Sequence, residues 1–186
     1  AALLWENYNY TSQAVSELMA IEAPTRPLMV ILFTIYNILV VAFGFGIITK
    51  GSQKWNLRVI GFLLIGYGIF GQVGLLFFPM HLPGTTEAIT ITDTMHLISA
   101  GVMVLFLLLT IGFGAAIRGK WFRLYSIGTI LILLIFGALA SMQASKIAEQ
   151  LPTPGLGIME RINIYSSMVW LLVLAIVFLR QENIPK

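Results

Sequence analysis

Two histidines and a few acids are the residues whose types could do acid–base or metal chemistry in this 186-residue chain. Asp93 and His96 stand three apart and share one helical face. Ser99 and Met103 continue near that face. Glu160, Asn163 and Ser167 form a second stripe at the same kind of spacing. If the two stripes face each other, they line a polar recess, with Gln72 and Asn37 adding depth. The chemistry such a recess would support is hydrolysis of a lipid or lipid-linked substrate by Asp93, His96 and Glu160, with or without a metal. His81 completes a permissible ligand set for a divalent ion.

Each residue also has a plain structural reading. Asp93 and Glu160 are acids near helix starts, where the positive end of the helix dipole favours them. Arg161 can snorkel to headgroups or pair with a carboxylate. His81, between Pro79 and Pro83, reads as a loop residue. His96 lies about one turn inside an apolar run, and an ionisable group there is a functional hypothesis by default.

Several chemistries are excluded. With no cysteine there is no disulfide, thiolate ligand or cysteine nucleophile. HExxH, nucleophile-elbow and phosphate-loop motifs are absent. Residues 66–71 spell GxGxxG, but no strand precedes them and no acid follows at the ribose-binding distance. The absence of a charge in mid-span argues against a voltage sensor or deep proton relay. A haem between His81 and His96 would need imidazoles on opposite ring faces, and both come from one loop and its flanking helix. No metal or cofactor is expected, although a lipid ligand fits.

The elements that must position these residues are five uncharged runs: Pro27–Thr49, Val59–Met80, Leu97–Ile117, Leu124–Ser145 and Ile162–Leu179. About 20 apolar residues of helix cross a bilayer. Spans are therefore expected at about 27–49, 59–80, 96–117, 124–145 and 158–179 in one transmembrane domain. The fold class is an all-α polytopic transmembrane helix bundle. The composition agrees, with 58% hydrophobic and 10% charged residues, against about 25% charged in soluble domains.

The intervening charges alternate in sign. Lys50, Lys54, Arg58, Arg118, Lys120, Arg123, Arg180 and Lys186, with Glu182, sum to +7 on one side. Glu6, Glu17, Glu22, Glu87, Asp93, Glu149 and Glu160 against Arg26, Lys146 and Arg161 sum to −4 on the other. The Lys and Arg excess marks the cytoplasmic side. It places the C-terminus inside, the N-terminus of this chain outside and the strong candidates His81, Asp93, His96, Glu160 and Arg161 on the outer side of an inner or plasma membrane. Basic residues that only flank spans, with no interleaved aromatics, exclude a nucleic-acid partner.

Gly61, Gly66, Gly68, Gly71 and Gly74 fall in the second span, where small residues let backbones approach. That helix is expected at the bundle centre. Thr90 to Asp93 offers capping residues for the third helix, and the last helix should start near Leu156, after Pro152-Thr153-Pro154-Gly155. Residues 11–19 suggest a short interfacial helix, and Trp5, Tyr8 and Tyr10 suggest an aromatic belt. The apolar start at Ala1 fits the end of a preceding sixth span, or a signal peptide cleaved just before Ala1.

Four segments resemble a prokaryotic multi-pass family known as domain of unknown function 998. They are Ser16-Glu17-Leu18, Phe77-Phe78-Pro79, His96-Leu97-Ile98-Ser99-Ala100 and Gly157-Ile158-Met159-Glu160-Arg161. The resemblance covers nearly the whole chain. It implies six helices, one of them ahead of Ser16, and carries the family's recurrent polar residues onto Glu17, His96, Glu160 and Arg161. It implies no activity. Three functions remain open: a non-catalytic accessory or lipid-contacting subunit with membrane lipid and a membrane-protein complex as partners, an outer-leaflet enzyme, and a small transporter.

Overall fold

Apolar side chains on a backbone that must satisfy its own hydrogen bonds in lipid leave helix as the available structure for each run. The computed structural model contains five long helices: α1 (Arg26–Lys50), α2 (Trp55–Phe77), α3 (Ile91–Gly114), α4 (Lys120–Ser141) and α5 (Leu156–Glu182). Residues 1–51, 54–85, 89–143, 146 and 151–182 are described, Gln181 and Glu182 by backbone alone. Glu87, Glu149 and Lys186, and the 144–145 end of the expected fourth span, lie outside them. All five helices are long and apolar enough to cross a bilayer, and no strand occurs among the described residues. The chain is an integral membrane protein.

Hydropathy places the spans but not the helix ends. Helix α3 starts at Ile91, ahead of the apolar span at residue 96, where Thr90 and Asp93 close the expected cap as a capping box. The Asp93 backbone N–H donates to Thr90 Oγ1 at 3.2 Å, and the Thr90 N–H donates to the Asp93 carboxylate at 2.9 Å. Helix α2 stops at Phe77 instead of running to Met80, since a residue before proline avoids helical geometry and Pro79 follows Phe78. Helix α4 starts at Lys120, within its basic flank. In each case the hydrogen-bond ladder, and not polarity, sets the end.

Helix α2 packs between α1 and α3. Its glycines divide by face. A Cβ at Gly61 would stand 2.7 Å from the Gly44 carbonyl, and one at Gly44 the same distance from the Gly61 carbonyl. This reciprocal contact is where α1 and α2 cross. Gly68 abuts Val41 and the Asn37 carbonyl, and Gly71 lies against Asn37 and Met103. Gly66 faces Phe106 and Gly74 faces Ser99, both on α3. Between α1 and α2, Asn37 Nδ2 donates to Gln72 Oε1 at 3.2 Å, and Gln72 Nε2 donates to Thr34 Oγ1 at 3.1 Å.

Helices α4 and α5 form a second packed unit. Trp170 of α5 is fully buried and its Nε1 donates to Ser126 Oγ at 3.0 Å. Helix α3 approaches α4 and α5 only loosely. The bundle is thus a three-helix layer and a two-helix layer held apart along part of their length.

Candidate functional site

One end of the bundle is capped by the N-terminal segment, which docks on α5. Gly157 makes this possible: a side chain there would collide with the carbonyls of Gln13 and Tyr10. One turn on, Arg161 is 4% exposed. Its Nη1 donates to the carbonyls of Tyr10 at 2.7 Å, Gly157 at 2.9 Å and Gln13 at 3.4 Å, and its Nη2 donates to Tyr8 Oη at 2.6 Å. The guanidinium also lies over the rings of Tyr10 and Tyr8. Burial pushes the Tyr8 hydroxyl above its ordinary value, outweighing the opposing pull of Arg161. It therefore meets Arg161 neutral and donates a hydrogen bond to the Ala14 carbonyl at 2.7 Å.

The neighbouring Glu160 accepts from the backbone N–H groups of Val15 and Ser16. Glu17, 4% exposed, is satisfied within its own segment by the Ala14 N–H at 2.9 Å and Gln13 Nε2 at 2.7 Å. These bonds turn Ser16–Met19 into a 3-10 turn tucked over the helices, where an interfacial helix on the outer surface was expected. Arg161 is buried instead of snorkelling and forms no ion pair among the described residues, and Tyr8 and Tyr10 cradle it instead of serving only as a belt. The sequence signal for this cradle was Gly157 four residues before a charge at the start of an apolar run.

Asp93, His96 and Glu160 do not form the constellation that their spacing suggested. Asp93 accepts from the His81 N–H at 2.7 Å and lies 3.2 Å from His81 Nδ1, besides capping α3. Asp93 and its loop are thereby stapled together, and His81 is half-buried rather than free. His96 Nδ1 lies 3.0 Å from the Phe78 carbonyl. A carbonyl only accepts, so Nδ1 carries the proton and Nε2 of the neutral ring is an acceptor. Among the described residues no three of His, Cys, Asp and Glu converge as metal ligands.

The two polar stripes do meet, without Asp93. A cavity of about 260 Å³ lies between the layers, and His96, Ser99 and Met103 line it together with Glu160, Asn163 and Ser167. Tyr36 and Tyr67, whose hydroxyls are 3.4 Å apart, contribute to the opposite wall. Val15, Ser16 and Met19 close the capped end. Asn37 and Gln72, expected to add depth, bond to each other outside the lining. Ser167 donates to the Ile164 carbonyl at 2.7 Å. Asn163 makes no side-chain hydrogen bond among the described residues, and its Oδ1 is buried.

The family model described as protein of unknown function DUF998 matches residues 1–177. The chain belongs to this family. No curated protein and no solved structure matches it. Within this DUF998 chain, Glu17, Glu160 and Arg161 build the cap, and His96 and Glu160 face the cavity.

Proposed function

We propose that this DUF998 protein is a non-catalytic membrane protein, an accessory or lipid-contacting subunit, that holds a bilayer-derived molecule between its helix layers. The observation that carries this reading is the cavity itself. Its walls are mainly aliphatic and aromatic with a few convergent polar groups, the character of small-molecule sites, and it lies within helices that cross the bilayer. A hydrolytic role finds less support. Asp93 is consumed by its cap and by His81, and the Nδ1–H of His96 is tied to a backbone carbonyl.

The charge asymmetry supports a sidedness in which the capped end lies outside an inner or plasma membrane and the basic end is cytoplasmic. The test of the functional reading is native mass spectrometry of the full chain released from its membrane. A single lipid-sized adduct that survives removal of surface lipid is expected. Protein that emerges bare would overturn the reading.

A further inference from the structure

Resting on the reading of this cavity as a ligand site, we infer that its ligand is an uncharged amphiphile with a hydroxyl head, admitted sideways from the bilayer between α3 and α4. Three independent observations converge on this.

The first is charge. Among the described residues no Lys or Arg lines the cavity, and Glu160 is its single carboxylate. A phosphate or carboxylate head would be desolvated there with no countercharge and with a carboxylate nearby, which is costly. The head must be uncharged.

The second is the set of polar atoms left over. The His96 ring presents Nε2 as an acceptor once Nδ1–H is given to Phe78. Asn163 also lines the cavity; its Oδ1 is buried with no hydrogen-bond partner among the described residues, and its Nδ2 supplies a donor. A hydroxyl donates one hydrogen bond and accepts others, so one such group serves both side chains. A hydrocarbon serves neither, and buried polar groups left unpaired lower affinity.

The third is access. Val15, Ser16 and Met19 cover the end toward the N-terminal segment. Sideways, α3 and α4 touch loosely. Ala100 and Val104 of α3 both line the cavity and remain exposed, Val104 at 48%. Both sit near the middle of a 24-residue helix, so the opening they border faces lipid tails and not water.

The test uses the full chain in nanodiscs with three probes of equal chain length: decanol, decanoate and decane. Binding is read by displacement of a radiolabelled decanol. Decanol is expected to bind saturably and about tenfold more tightly than decane, as one or two neutral hydrogen bonds allow, with decanoate weaker than either. Ala100→Trp, at an exposed position beside the opening, should slow decanol uptake, with the thermal midpoint measured alongside to show that the variant is folded. Asn163→Leu should bring decanol down to the affinity of decane. Decane or decanoate binding as well as decanol would overturn the inference and leave the cavity reading standing. Uptake unchanged in the Trp variant would overturn the lateral route. Saturable binding by none of the three would overturn both the inference and the reading on which it rests.

Discussion

The guanidinium of Arg161 sits 3.7 Å from the centre of the Tyr10 ring while its Nη1 donates to the Tyr10 carbonyl at 2.7 Å. One residue of the N-terminal segment thus meets the charge from two directions. Tyr8, Gln13 and Gly157 accept from the same two Nη groups. A planar group with five N–H donors can do this, and a lysine ammonium cannot. Arg161→Lys is expected to lower stability by about 2 kcal/mol, and Arg161→Leu by about 3 kcal/mol, by stranding buried carbonyls. Thermal unfolding in detergent measures the loss, and limited proteolysis should show residues 8–20 cut first. A variant protease-resistant in that segment would contradict the role of Arg161 as its anchor.

The same latch has a pH signature. The Tyr8 hydroxyl is held above its ordinary value of 10.0 by burial. A raised folded value means that the stabilisation is fully present below the unfolded value and is lost as pH climbs above it. Cleavage of the N-terminal segment should accelerate above about pH 10. Tyr8→Phe should flatten that part of the profile. An identical profile in both proteins would show that Tyr8 is not the titrating group.

The crossing of α1 and α2 depends on the Gly44–Gly61 contact. Either glycine replaced by leucine drives a side chain into a carbonyl at 2.7 Å or closer. The expected loss is about 3 kcal/mol or outright failure to assemble. Gly46→Ala is the matched control, since a Cβ there meets nothing within 4 Å, and it should be neutral or slightly stabilising. Size-exclusion profiles and thermal midpoints of the three variants decide the matter.

Asp93 is expected to act through structure. Asp93→Ala removes the capping box of α3 and the staple to His81, at a cost of about 1–2 kcal/mol. It should leave the affinity of the cavity for decanol unchanged, because Asp93 does not line it. Equilibrium binding to the variant checks this, and a tenfold loss would return Asp93 to the site.

The sidedness can be read directly, because the chain has no cysteine. Glu6→Cys and Lys54→Cys each introduce a single thiol, one at either end of the bundle. In intact cells a membrane-impermeant maleimide should label the first and spare the second. The reverse pattern would invert the topology.

The amino-acid sequence by itself determined the five helices and the glycine-lined centre at α2. It also determined the start of α3 at its capping box and the start of α5 after Gly155. Those features follow from local rules, because each run must hide its backbone from lipid and each cap is written within four residues. The meeting of the His96 and Glu160 stripes was legible as a possibility, since spacing assigns residues to faces without saying which faces oppose. Only the tertiary structure decided the rest. Asp93 turned to His81, because the loop returning from Pro79 offers a backbone N–H that no helical period can foresee. Tyr8 and Tyr10 cradle Arg161 across more than 150 residues of chain. The gap between the two helix layers arises because α3 packs on α2 while α4 packs on α5. A cavity is a property of how faces pair, and pairing is absent from any single helix.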